Sequence, residues 1–142
     1  NRIDFRLSRQ RLIMKAEPAK DMHFVISEEA LRTEVGSPEI MAEQFRYLVR
    51  TIDDASNVTI QVISSTVAHN PTPASGLTLL TFTEPLQPIA SIPVSYGPSI
   101  YFEEPVDTLR FSRALDRLIG LARSPGASRK IIADLATRGA ST

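Results

Sequence analysis

Charged residues are almost absent from the middle of this chain. Between Ala55 and Phe102 the only Asp, Glu, Lys or Arg is Glu84, and the two flanking segments carry all the others. Seven of the ten prolines lie between Pro71 and Pro105, where they would interrupt any helix and limit strands to short pieces or sheet edges. We therefore predict sheet and loop in the middle of the chain and helices on both flanks.

The composition excludes several classes of protein. The 142 residues include 16 Lys and Arg against 16 Asp and Glu, so no net charge is available to hold a nucleic-acid backbone or an anionic membrane. A hydrophobic fraction of 42% is typical of a folded protein, and no apolar run reaches the roughly 20 residues of a membrane span. The absence of Cys excludes disulfides and Cys-based zinc sites and fits a reducing cytoplasm. We expect one cytoplasmic domain over residues 1–142.

The first flank carries the signals of three helices and a strand. Apolar residues at helical spacing predict a helix from about Asp4 to Lys15, with Arg2, Arg6 and Arg9 on another face that we expect to be solvated. The residues His23–Ile26 predict a short strand, and Ser27 is an expected N-cap of a helix that Gly36 closes.

The third helix has the clearest pattern. Ser37 is its expected N-cap and Pro38 its first residue. Its expected core stripe consists of Met41, Phe45, Leu48, Ile52 and Ala55. In the last flank, Pro105 starts a helix, and a further helix runs from Ser124-Pro125 to Arg138-Gly139. The core stripe of the first of these two helices consists of Phe111, Leu115, Leu118 and Ala122.

Four segments of the middle zone predict strands. Val58 to Val62 alternates apolar and polar residues, and Leu77–Phe82 is apolar on both faces, as in a central strand. Two more strands are expected at Ile89–Val94, where Pro93 indicates an edge or a bulge, and at Ile100–Phe102. The predicted fold is α+β, a single domain in which one small antiparallel sheet of about four to five short strands packs with four to five α-helices.

No catalytic motif is present. The sequence has no GxSxG, GxGxxG, Walker or HExxH pattern, and its two histidines, His23 and His69, lie in separate predicted elements. The chain has three pairs of adjacent acidic residues. Adjacent side chains point in different directions, so the two carboxylates of such a pair cannot converge on one substrate bond as catalytic carboxylates must. These pairs are Glu28-Glu29, Asp53-Asp54 and Glu103-Glu104. Asp53-Asp54, near a helix end, opposes the helix dipole and has no functional explanation. We expect no enzyme activity, no metal site and no cofactor.

A charge-poor sheet with scattered polar side chains is typical of a small-molecule pocket, and equally of a face buried in a homodimer or against a partner protein. The candidate binding residues are Arg32, Gln44, Gln61, His69, Tyr96 and Tyr101. For several of these residues a structural role is the alternative interpretation. Arg32 is at pairing distance from Glu28 on a helix, Gln44 and His69 can bond loop backbone, and the tyrosines can be amphipathic core residues.

Several segments in a fixed order resemble a known family. The chain carries RLSRQRL (6–12), FVISEEALRTEVGSPEIMAEQFRYLV (24–49), NVTIQVIS (57–64), His69, GLTLLTF (76–82) and SPGASRKII (124–132). This order resembles the C-terminal domain of unknown function of actinobacterial Xre-type helix-turn-helix regulators, the Streptomyces-type, WhiJ-like proteins. Two departures are a segment at 91–96 without the family's acidic "YVE"-like residues, and Ala68 where a Gly is usual.

The resemblance implies a cytoplasmic, non-catalytic domain of a transcription regulator that senses an effector, binds a partner or forms a dimer. Its expected partners are a second copy, a small protein encoded nearby or a small-molecule effector, with no membrane. DNA would be bound only through an N-terminal helix-turn-helix domain preceding Asn1, which fits a chain that starts without Met or signal peptide. The alternative is a purely structural dimerisation or interaction module without a ligand.

Overall fold

The computed structural model describes residues 2–71 and 76–138, which form five helices and five strands, with four of the strands consecutive in the middle of the chain. The helices are α1 (Arg2–Met14), α2 (Glu28–Arg32), α3 (Pro38–Asp54), α4 (Pro105–Leu121) and α5 (Pro125–Arg138). The strands are β1 (Met22–Ser27), β2 (Val58–Ile63), β3 (Thr78–Leu80), β4 (Ile89–Ile92) and β5 (Ile100–Phe102). The predicted α+β class is confirmed.

The chain divides into two compact units. The first comprises residues up to Val62 together with those from Arg123 onward, and the second comprises Ile63–Ala122. Within the first unit β1 pairs with β2, and within the second β3, β4 and β5 form an antiparallel sheet in that order. The strands therefore form two sheets instead of the single sheet predicted.

A helix takes the place of a further strand beside β2. The backbone N–H of Val62 donates to Ser128 Oγ over 2.8 Å, and its carbonyl accepts the N–H of Arg123 over 2.9 Å. Because both backbone groups of Val62 are bonded to Arg123, just before α5, and to Ser128 in its first turn, this position of β2 is closed to another strand.

The core of the first unit lies between α3, α5 and the β1–β2 sheet. Its buried residues are Leu31, Phe45, Val58, Ile60, Val62, Ile132 and Ala136. The predicted stripe of α3 faces this cluster, since Phe45 is buried and the other four members pack against it. The predicted start of α3 is confirmed, with Ser37 Oγ accepting the N–H of Ile40 over 3.4 Å and Pro38 in the first turn.

In the second unit, α4 packs on one face of the three-stranded sheet. Ala90, on the central strand β4, is completely buried, and the rings of Phe102 and Phe111 lie 4.9 Å apart between sheet and helix. The predicted central position of Leu77–Phe82 is wrong. Its strand is the three-residue edge strand β3, where Leu80 is half exposed because α4 covers only one face.

Several element ends differ from the prediction. The helix α2 ends at Arg32, because the backbone of Thr33 is extended at a ψ of 113°. The N–H and Oγ1 of Thr33 both donate to the Glu29 carbonyl, and Gly36, at a φ of 83°, lies in the turn before α3. The strand β4 ends before Pro93, which has no N–H for a sheet. The predicted stop at Gly139 lies outside the described residues. None of the helices in the described segments has the length and apolarity needed to cross a membrane.

Candidate functional site

A groove of about 310 Å³ lies in the first unit between α1, α3 and the β1–β2 sheet, and is called here the α1 groove. From α1 it is lined by Arg6, Arg9, Gln10, Ile13 and Met14. From the sheet and α3 it is lined by Met22, Phe24, Ile26, Tyr47, Leu48, Thr51, Val58 and Ile60. Most of these side chains are apolar, and the charged ones come from α1.

The floor of the α1 groove follows from strand periodicity. Alternate residues of a strand point to one face, so Met22, Phe24 and Ile26 of β1 project together. Val58 and Ile60 do the same on β2. The two strands begin side by side, because the N–H of Met22 donates to the Asn57 carbonyl over 2.8 Å.

One face of α1 forms the opposite wall. Arg6, Arg9, Gln10, Ile13 and Met14 recur at intervals of three and four residues, the spacing of a single helix face. Gln10 Nε2 donates to the Tyr47 hydroxyl over 2.6 Å and so links α1 to α3. The predicted arginine stripe thus lies along the groove at Arg6 and Arg9, while the side chain of Arg2 lies outside the described part of the chain.

The α1 groove is positively charged. Arg6 and Arg9 line it, and its described lining includes no carboxylate. The guanidinium carbon of Arg9 lies 6.0 Å from the centroid of the Phe5 ring, at the outer limit of a cation–π contact. Within the described residues neither arginine forms a salt bridge. The groove therefore combines an apolar floor with two cationic groups at one wall.

A second groove, of about 250 Å³, lies between α2, α3 and α5. Arg32, a predicted site residue, lines it together with Glu34, so both signs of charge are present. Arg32 also forms a salt bridge with Glu28 over 3.3 Å, which is the structural role that their spacing indicates. This second groove has a smaller volume than the α1 groove, and its lining carries no excess of positive or negative charge.

Gln61 holds strands and helix together. Its side chain is only 6% exposed, and its Oε1 accepts a hydrogen bond from His23 Nε2 over 2.6 Å. Its Nε2 donates to the Arg123 carbonyl over 2.8 Å. The predicted alternation of β2 therefore does not leave Gln61 facing water, because its side-chain amide is hydrogen-bonded to β1 and to the residue two positions before α5.

The other predicted site residues are exposed. Gln44 lies on the outer side of α3 in the first unit. In the second unit His69 is in a loop at a φ of 57°, Tyr96 is 97% exposed between β4 and β5, and Tyr101 is 65% exposed on β5. Neither tyrosine is therefore a core residue. Of the six predicted residues, only Arg32 lines either groove.

The α1 groove is the feature that the sequence analysis missed. The stripe of Arg6 and Arg9 was visible, but its neighbours Ile13 and Met14 occur in an apolar run that is equally consistent with core. Nothing local indicates that this face lies against β1. The described residues contain no group of three or more His, Asp or Glu side chains able to hold a metal ion.

Comparison with known proteins identifies a family. The model of a family described as Domain of unknown function (DUF5753) matches residues 1–134. No curated protein and no solved structure matches the chain.

Proposed function

This chain belongs to the DUF5753 family, and we propose that it acts as a non-catalytic sensing domain of an Xre-type helix-turn-helix regulator. The observation that carries this proposal is the α1 groove, an apolar space of about 310 Å³ with cationic groups along one wall. Such a combination is typical of a binding site for a small molecule. The order of sequence motifs supports the regulator context and an actinobacterial, cytoplasmic setting.

The groove chemistry favours binding over catalysis. Its polar side chains are two arginines, one glutamine, one tyrosine and one threonine, and the Gln10 and Tyr47 side chains are bonded to each other. Guanidinium groups stay protonated and therefore do not serve as general bases at neutral pH. These side chains orient a ligand instead of transferring protons.

The position of α1 supplies a route from binding to regulation. In the proposed regulator the DNA-binding domain precedes α1, so the same helix is a wall of the groove and the connection to that domain. A ligand between α1 and the sheet binds one position of α1 more tightly than another. It therefore shifts the equilibrium toward the position that it binds more tightly. We propose that this shift changes how the two DNA-binding domains of a dimer are spaced.

Filling the α1 groove tests this function in the natural full-length protein. Thr51 lines the groove on α3, and Thr51→Trp places an indole in it. In the source organism we expect gene deletion to change a set of transcripts and Thr51→Trp to change the same set. The matched control is Thr83→Trp, at an exposed position in the second unit, which should resemble the parent strain. RNA sequencing at equal protein abundance gives the result.

Two outcomes would overturn the proposal. If deletion leaves the transcripts unchanged, the protein does not regulate transcription. If deletion changes them while a folded, equally abundant Thr51→Trp protein behaves as the parent, the α1 groove is not the sensing site. Circular dichroism of the purified variant distinguishes a filled groove from a failure to fold.

A second candidate role, homodimer assembly, is favoured by the open face of the three-stranded sheet. The register places Thr78, Leu80, Ile89, Ser91 and Tyr101 together on the face opposite Ala90 and Phe102. In a twofold dimer a surface meets its own copy, so a patch with one sign of charge would approach a like charge. These five residues carry no charge, and we propose a second copy of this chain as the occupant of the face.

A further inference from the structure

We infer that the α1 groove binds a small amphiphile with a single anionic head group. Its apolar part would lie on the β1–β2 sheet, and its head group would lie between Arg6 and Arg9. This inference rests on the proposed function in taking the α1 groove as the sensing site, and it adds the chemical class of the ligand.

The floor of the groove accounts for the apolar part. Phe24 is 46% exposed although it projects on the same face as Met22 and Ile26, which pack against the core. An apolar ligand would remove the Phe24 ring from water, together with the half-exposed side chains of Ile13 and Met14. The groove surface is thus suited to a hydrocarbon or an aromatic ring.

The arginines account for the head group. Arg6 and Arg9 are three residues apart on one helix face, where like charges destabilise the helix. An anion between them removes this repulsion, and the planar guanidinium groups match the geometry of a carboxylate or a phosphate. Because no carboxylate is found among the described lining residues, the protein itself does not supply that anion at the groove.

The size of the groove argues for a small molecule over a macromolecule. Its volume of about 310 Å³ is at the lower end of ligand pockets, which span roughly 300–1,000 Å³. A protein partner would need an interface of at least about 1,000 Å² to bind specifically. The Gln10–Tyr47 hydrogen bond also bridges α1 and α3 and limits the space for a peptide chain.

Calorimetric titration with three ten-carbon probes tests the inference. Decanoate carries a carboxylate, decyl phosphate a phosphate, and 1-decanol no charge. We expect at least one of the two anions to bind roughly ten-fold or more tightly than decanol, since charge-assisted hydrogen bonds are stronger than neutral ones. The two anionic probes distinguish the head groups, and all three are used below their micellar or solubility limits.

Variants of α1 assign the effect to the groove. In the double variant Arg6→Gln, Arg9→Gln, the anion should bind no more tightly than decanol. The control is Arg11→Gln, which removes one positive charge from α1 at a position that does not line the groove. Phe24→Ala should weaken all three probes, whereas Leu109→Ala, an exposed apolar position on α4, should weaken none.

The inference is wrong if no anionic probe binds, if decanol binds as tightly as the anions, or if Arg11→Gln weakens binding as much as the double variant. Its failure is distinguishable from failure of the proposed function. If no anion binds while Thr51→Trp still alters transcripts, the ligand class is wrong and the sensing role stands. If an anion binds but gene deletion leaves the transcripts unchanged, the binding site is supported and the regulatory role is refuted.

Discussion

At the residue scale, Asp53 is held by two short hydrogen bonds from one guanidinium. Arg129 Nε and one terminal nitrogen donate to the two carboxylate oxygens of Asp53, each over 2.6 Å, and so connect α3 with α5. These hydrogen bonds hold the pKa of Asp53 below its ordinary value of 3.8 and raise the pKa of Arg129. The pair explains an acidic residue at a helix end where its charge opposes the dipole.

The Asp53–Arg129 pair makes stability depend on pH. Because the folded pKa of Asp53 is lowered, its contribution to the free energy of unfolding is complete above pH 3.8 and is lost as the pH falls through the folded pKa. We therefore expect Asp53→Asn to lower the melting temperature at pH 7, and the difference from the parent to shrink below pH 3.8. Thermal melts by circular dichroism across this range measure it.

The neighbouring residue supplies the control for this experiment. Asp54 is exposed, lies on the same helix end, and forms no salt bridge among the described residues. Asp54→Asn should therefore leave the melting temperature at pH 7 close to that of the parent. Equal losses of melting temperature in both variants would mean that the negative charge at the helix end, and not the bidentate pair, contributes to stability.

Local contacts were predictable at this scale and distant ones were not. The Arg32–Glu28 salt bridge follows from a four-residue spacing on a helix. The partner of Asp53 is 76 residues away, and Gln61 bonds Arg123 across 62 residues. No short-range pattern contains such pairs, so the pattern of β2 does not indicate that the fold buries Gln61.

At the element scale, α1 differs from the other long helices. Several of its apolar side chains are exposed, with Leu12 75% exposed, and none of its residues with a described side chain is buried. The buried residues of α3, α4 and α5 are Ala42, Phe45, Thr108, Leu118, Ser128, Ile132 and Ala136. Tertiary packing stabilises most protein helices, and a helix of 13 residues is marginal by itself.

Hydrogen exchange should reflect this difference. We expect the backbone amides of α1 to exchange much faster than those of α3, because α1 can open without disturbing the core. Mass-spectrometric hydrogen exchange on the chain gives the comparison, with α5 as a second reference helix. Protection of α1 equal to that of α3 would contradict a loosely held groove wall and would remove the proposed route from binding to regulation.

At the scale of the whole molecule, the open face of the three-stranded sheet determines the proposed assembly. Tyr101 is 65% exposed on the edge strand β5 and pairs with Ser91 of the central strand β4. Tyrosine is among the residues that commonly contribute most of the affinity of an interface. Since α4 covers the other face of the sheet, Tyr101 contributes little to the packing of its own unit.

Truncation of this side chain tests the assembly. We expect Tyr101→Ala to weaken dimerisation by roughly ten-fold or more while lowering the melting temperature only slightly. The control is Tyr96→Ala, in the turn after β4, which should change neither property. Sedimentation velocity over a concentration series measures association. A large loss of melting temperature with unchanged association would instead make Tyr101 a packing residue.

The amino-acid sequence by itself determined the α+β class, the start of α3 at Ser37-Pro38 and its core stripe, and the strands near β1, β2, β4 and β5. These features depend on caps, prolines and periodicities within a few residues. Only the tertiary structure decided that the strands form two sheets, that β3 is at an edge, and that α1 and β1 enclose a groove. Each of these depends on backbone and side-chain contacts between distant segments, such as Val62 with Ser128, which local pattern does not encode.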